Sequence, residues 1–203
     1  MIIITKINDK YIFSNSYGAE VKISYIDKNG YLKPLLKTII EFRKPIHSAS
    51  ISPQKNKIYA CLTKSRNVVI FNFDLENKLM EQNKVEIFDE GADWFNKCIE
   101  IKDDHVVTAD SKCIIIWEKS NDTYIRKKIL HLNIETNDLL LINDEFFVSS
   151  QTYEKTITFI DISNLEEDRI ITNVDSINYD NCLSLFINNI IVNCHEGIAI
   201  ILI

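Results

Sequence analysis

Glycine is scarce in this chain, 4 in 203 residues, and proline scarcer still at 3. A loop that cradles phosphate needs several residues without a Cβ so that backbone amides approach the ligand, and scattered glycines supply no such loop. The five cysteines, Cys61, Cys98, Cys113, Cys182 and Cys194, are odd in number, form no Cys-x-x-Cys pair and fall within apolar runs. That pattern favours buried reduced thiols over a metal site or a disulfide framework. Basic excess is lacking too: the net charge is −6 and the pI about 5.3, so no domain-wide field draws nucleic acid. The opening Met1-Ile2-Ile3-Ile4-Thr5-Lys6 turns polar too soon for a signal sequence or a membrane span. No segment keeps a 3.6-residue apolar period over a dozen residues, which removes amphipathic helices from the expected fold.

What is present is isoleucine and asparagine in abundance, the mark of AT-rich coding, and a segment that recurs five times. It reads Val21-Lys22-Ile23-Ser24-Tyr25-Ile26-Asp27, Asn67-Val68-Val69-Ile70-Phe71-Asn72, Cys113-Ile114-Ile115-Ile116-Trp117-Glu118, Thr156-Ile157-Thr158-Phe159-Ile160-Asp161 and Gly197-Ile198-Ala199-Ile200-Ile201. With Ile26, Phe71, Trp117, Ile160 and Ile201 taken as equivalent, the copies are 45, 46, 43 and 41 residues apart. A β-rich repeat of this length is the unit of a propeller blade. Each unit divides into short runs rich in Ile, Val, Phe and Tyr that alternate at period two, separated by turn residues such as Asn8-Asp9, Asn29-Gly30 and Asp110-Ser111-Lys112. The expected architecture is all-β and propeller-like in one domain, with blades at 1–40, 45–88, 94–132, 137–174 and 180–203. Four blades have four strands and the fifth only three, because Met1–Ile7 already serves as the first strand of the first unit.

The segment Lys155-Thr156-Ile157-Thr158-Phe159-Ile160-Asp161, and Val107-Thr108-Ala109-Asp110-Ser111-Lys112 leading to Trp117-Glu118, resemble the repeats of WD-repeat proteins. The resemblance extends through the period over nearly the whole chain, while the diagnostic residues match well in two of five units. It implies a hydrogen-bonded set joining Thr108, Asp110 and Trp117, although the loop Gly91-Ala92-Asp93-Trp94 lacks the histidine that family often adds. It also implies a rigid platform for protein assembly rather than an enzyme.

Groups that could do chemistry are dispersed. His47, His105, His131 and His195 lie in different units without metal-ligand spacing, so no metal is expected. In Cys194-His195-Glu196, neighbours along a strand end point to opposite faces, which argues against a nucleophile and its base. Asp103-Asp104 and Glu166-Glu167-Asp168 read as solvated turns, and Arg126-Lys127-Lys128 as charges that discourage edge pairing. Candidate contact residues lie between units: Arg43 and Lys44 in the first connection, Asp93, Trp94 and Phe95 in the second, Tyr179 and Asp180 in the fourth. Aromatics ringed by acids suit recognition of a basic segment. The alternative for Trp94 is that it begins the next strand and packs between blades.

The expected function is a non-catalytic protein–protein interaction scaffold, a subunit of a multiprotein complex with no catalytic residues and no cofactor. Its partners are expected to be proteins, with no role for membrane, nucleic acid or small molecule, and its place intracellular, cytoplasmic or nuclear. Ile198, Ile200 and Leu202 mark an open edge, expected to be completed by a partner strand, a second copy or strand exchange with the N-terminal end. The alternatives are a propeller enzyme, a hydrolase or lyase, and a truncated WD-repeat gene product. The enzyme reading needs polar residues on the inner strands, where the sequence shows Ile, Leu, Cys and Ser.

Overall fold

The computed structural model describes residues 3–15, 20–40, 44–52, 56–88, 93–102, 105–121, 123–131, 136–143, 146–151, 156–162, 170–173, 179–186, 189–194 and 197–202, the last four segments by their backbone course. Nineteen strands run through these residues. β1 (Ile3–Lys6), β2 (Tyr11–Asn15), β3 (Glu20–Ile26) and β4 (Leu32–Ile39) form one antiparallel sheet in chain order. β5 (Ile46–Ser52), β6 (Lys57–Leu62), β7 (Asn67–Asp74) and β8 (Leu79–Phe88) form the second; β9 (Lys97–Lys102), β10 (His105–Ala109), β11 (Cys113–Ser120) and β12 (Thr123–His131) the third. The fourth contains β13 (Thr136–Leu141), β14 (Phe146–Gln151), β15 (Thr156–Asp161) and β16 (Ile170–Asn173), and the fifth has three strands, β17 (Tyr179–Phe186), β18 (Asn189–Cys194) and β19 (Gly197–Leu202). The meander repeats as the spacing of the five segments predicts.

The chain folds as two compact units, residues 1–98 with 120–124 and residues 99–119 with 125–203. In the first, Phe13, Ile23, Ile58, Phe71 and their neighbours are buried in one apolar cluster between the first two sheets. In the second, Val107, Ile114, Ile116, Phe147 and Ile160 do the same. Burying an aliphatic or aromatic side chain contributes about 1.5–3 kcal/mol, so these clusters dominate the stability of each unit. Within a unit the first strands of successive sheets approach one another, β1 beside β5 and β13 beside β17.

Turns are closed by acid and amide side chains rather than by glycine. Asn8, Asp27, Asp74, Asp110 and Asn143 each accept backbone N–H bonds, at 2.7–2.9 Å, from residues two to four positions later. Gly30 takes φ +82 in the β3–β4 hairpin, while Asn56, Lys64, Lys78 and Asn121 enter the left-handed region with side chains attached. That division of labour is how the fold does with four glycines.

Candidate functional site

Three first strands carry a bulge. Ile46 pairs with Leu62 and Ser48 with Cys61, which leaves His47 as the extra residue of β5. Thr136 pairs with Gln151 and Asp138 with Ser150, leaving Asn137 as the extra residue of β13. Tyr179 pairs with Cys194 and Cys182 with Asn193, so Asp180 and Asn181 are out of register on β17. Bulges re-aim side chains and are over-represented beside active sites. Here each falls in the first few residues of a first strand, and each places a polar or ionisable residue there. No periodicity argument finds them, because the bulged residue is the one that breaks the alternation.

His47 is exposed. Its surroundings are held by backbone and side-chain bonds from three segments of the first unit. The Thr63 N–H donates to the Pro45 carbonyl at 2.8 Å, which fixes the approach to β5 against the β6–β7 turn. Ser48 Oγ donates to the Asn96 carbonyl at 2.7 Å, and the Phe95 N–H donates to the Ser65 carbonyl at 3.1 Å. Phe95 is a buried anchor at 1% exposure, whereas the preceding Trp94 is 52% exposed, with the Lys64 ammonium 5.6 Å from its ring centroid. β9 begins only at Lys97, so Trp94 stands ahead of the strand.

The other sequence-predicted contact residues are distributed as follows. Lys44 is exposed beside Pro45, Asp93 is half-buried, and Arg43 lies outside the described residues. Tyr179 and Asp180, expected in a connection, belong to β17 because the bulge extends that strand ahead of Cys182. Ile198, Ile200 and Leu202 lie on β19, paired with β18 through Asn193, Ile191 and Asn189. His195 and Glu196 are outside the described residues, and no group of three or more metal-binding side chains occurs among those described. In the second unit the Trp117 Nε1–H donates to Thr108 Oγ1 at 2.8 Å, and Asp110 Oδ1 accepts from the Lys112 and Cys113 amides, so two of the three residues expected to bond together do so directly. Burial pushes the Cys61 thiol up to about 12, as expected of an inert core cysteine.

No family model matches the chain, and no curated protein matches it. Solved structures do. A candidate 6-phosphogluconolactonase from Bacteroides fragilis superposes with a TM-score of 0.73 at 13% identity, covering 97% of this chain and 64% of that one. The periplasmic gluconolactonase of Pseudomonas aeruginosa gives 0.70 at 11% identity over 94% of this chain and 62% of that one. The WD40 propeller domain of Doa1 gives 0.56 at 12% identity, covering 98% and 81%. The chain thus spans less than two thirds of the length of the lactonase-type chains it matches. The fold is that of a β-propeller. The expectations of a non-catalytic scaffold and of a protein that is not an enzyme are corrected by these neighbours, because several chains with this architecture are named as lactonases. Beside their apolar residues, β5 carries the exposed His47, and β9 the partly exposed Lys97, Glu100 and Lys102.

Proposed function

We propose that the chain is a propeller-fold hydrolase that opens sugar lactones. The observation that carries the reading is the superposition of almost the whole chain on propellers named for that activity. The bulge of β5 supports it, since it sets the exposed His47 out of register at the start of a strand with apolar neighbours. Kinship with WD-repeat units is supported at the third sheet by the Thr108–Trp117 bond and the Asp110 turn.

Lactone hydrolysis asks for modest machinery. A base takes a proton from water as the oxygen adds to the carbonyl carbon. The negative charge that develops on the carbonyl oxygen needs a hydrogen-bond donor. The tetrahedral intermediate then collapses, the ring C–O bond breaks, and the ring oxygen leaves as a hydroxyl after taking up a proton. Among the described residues, His47 is the histidine on a first strand, and we assign it the base. Asn137 on β13 and Asp180 and Asn181 on β17 hold the out-of-register positions of the second unit.

The test is a lactone panel followed by proton release at constant pH. The purified chain is expected to open 6-phosphoglucono-δ-lactone and glucono-δ-lactone faster than the spontaneous reaction, and to leave p-nitrophenyl glycosides intact. Proton release at the spontaneous rate for every lactone contradicts the proposal.

A further inference from the structure

The first sheet has one packed face and one bare face. Phe13, Ile23 and Leu36 are buried in the apolar cluster shared with the second sheet, and strand alternation sends their neighbours the other way. Ile4 pairs with Ser14, Ser14 with Lys22 and Lys22 with Lys37, so these four form one row across the outward face. Ile26 with Leu32 and Glu20 with Ile39 are further pairs on the same face. Ile4, Ile26, Leu32 and Ile39 are four of the nine large apolar side chains exposed among the described residues, so they make a patch rather than scattered surface residues. The face is also basic. Lys22 and Lys37 stand directly opposite each other, a repulsive arrangement in a sheet, and share one carboxylate, with Glu20 at 2.6 Å from Lys22 and 3.9 Å from Lys37. Residues 1–40 hold six lysines against three acidic residues, Asp9, Glu20 and Asp27, in a chain of net charge −6. Of the other two acids, Asp9 is bonded to Lys6 and Asp27 closes its own turn by accepting the Asn29 and Tyr31 amides.

We infer that this face rests on an anionic lipid surface. Ile4, Ile26, Leu32 and Ile39 enter the boundary between headgroups and acyl chains, while the stems of Lys22 and Lys37 lie along it and their ammoniums reach the lipid phosphates and carboxylates. Tyr31, exposed next to Leu32 at the tip of the β3–β4 hairpin, is a residue type that favours the headgroup level. Another sheet is a poorer occupant. The neighbouring row on the packed face, Thr5, Phe13, Ile23 and Leu36, is uncharged, whereas a sheet laid over the bare face would strip water from two like charges that have a single carboxylate between them. A second copy laid face to face doubles that positive excess. A headgroup layer leaves the ammoniums hydrated, supplies the counter-charge and needs no spanning segment. None of these residues belongs to a bulged first strand, so lipid binding and lactone opening stand or fall separately.

Co-sedimentation of the intact chain with lipid vesicles is the test. The chain is expected to pellet with vesicles of equal parts phosphatidylserine and phosphatidylcholine, to stay in solution with phosphatidylcholine alone, and to be released as salt is raised. The double variants Lys22→Gln/Lys37→Gln and Leu32→Ser/Ile39→Ser are each expected to weaken binding by about tenfold or more, with unchanged melting temperatures because all four side chains are largely exposed. Arg126→Gln/Lys127→Gln removes the same charge from the other basic run and is expected to bind as the wild type does. The inference is overturned by the absence of binding to the phosphatidylserine vesicles, by equal binding to phosphatidylcholine alone, by wild-type affinity in either face variant, or by an equal loss in Arg126→Gln/Lys127→Gln. Sedimentation velocity without lipid adds one more outcome: self-association that disappears in Leu32→Ser/Ile39→Ser would give the face to a second copy and overturn the lipid assignment.

Discussion

Thr108 and Ser149 occupy the same place in successive sheets, and their surroundings give them opposite energetic roles. Val106 pairs with Trp117 and Phe147 with Ile160, so each hydroxyl residue stands two positions beyond an equivalent pair. Where the third sheet has an indole, Thr108 Oγ1 accepts its N–H at 2.8 Å; where the fourth has Ile160, Ser149 Oγ is buried without a partner. A buried donor left unsatisfied costs about 1–3 kcal/mol, so Thr108→Val should lower stability by that order, whereas Ser149→Ala should be neutral or stabilising. Urea midpoints at constant slope compare the two, and equal losses would contradict the assignment. Cys61 makes a pH prediction. Its ordinary value is 9.0 and burial raises it to about 12 in the folded chain. The thiol's contribution is therefore complete below pH 9.0 and is lost as pH rises from there toward about 12, because the unfolded chain ionises first. Cys61→Val should flatten the alkaline fall in stability, measured by urea unfolding between about pH 8 and about pH 10.5. At Lys78, φ is +55 on an exposed residue, so Lys78→Gly should be tolerated or raise stability by up to about 1 kcal/mol, the same midpoint serving as readout.

Strands were legible in the sequence wherever apolar residues alternate between turn residues. The boundaries Tyr11, Leu32, Leu79–Phe88, His105–Ala109 and Phe146 follow directly from Asn8, Gly30, Asn77, Asp104 and Asn143 ahead of them. The bulges were not legible, and the reason is physical. Ile46-His47-Ser48 and Thr136-Asn137-Asp138 read as ordinary starts of strands, since which residue lacks a partner depends on the register of the neighbouring strand. For the same reason Tyr179 and Asp180 looked like connection residues and are in fact strand residues. Trp94 sits at the boundary of what a sequence shows. Its composition context was visible, but its exposure beside a buried Phe95 depends on the bond to Ser65, thirty positions earlier. At this scale the prediction concerns the first-strand bulge. Ser48→Ala removes the bond to the Asn96 carbonyl that ties β5 to the Trp94 segment, at a cost of about 1 kcal/mol. Urea midpoints should register that loss, and Trp94 emission should red-shift further as the segment loosens; an unchanged midpoint and spectrum would show that the bond positions nothing.

Across the whole molecule, the repeat establishes the architecture and leaves the chemistry to its details, and the scaffold expectation rested on the resemblance to WD-repeat units rather than on the period. A rigid repeated sheet supports loops and strand ends of any kind, so the fold alone does not choose between assembly and catalysis. The proposed hydrolase reading therefore turns on a local feature, the exposed His47 at the bulge of β5. The most direct measurement is kcat/KM for 6-phosphoglucono-δ-lactone on the intact chain and on His47→Ala. The account predicts turnover above the spontaneous rate by the wild type and a loss of about a hundredfold or more in the variant, the usual contribution of a general base, with the melting temperature unchanged. Equal rates for the two proteins, or no turnover by either, would contradict it.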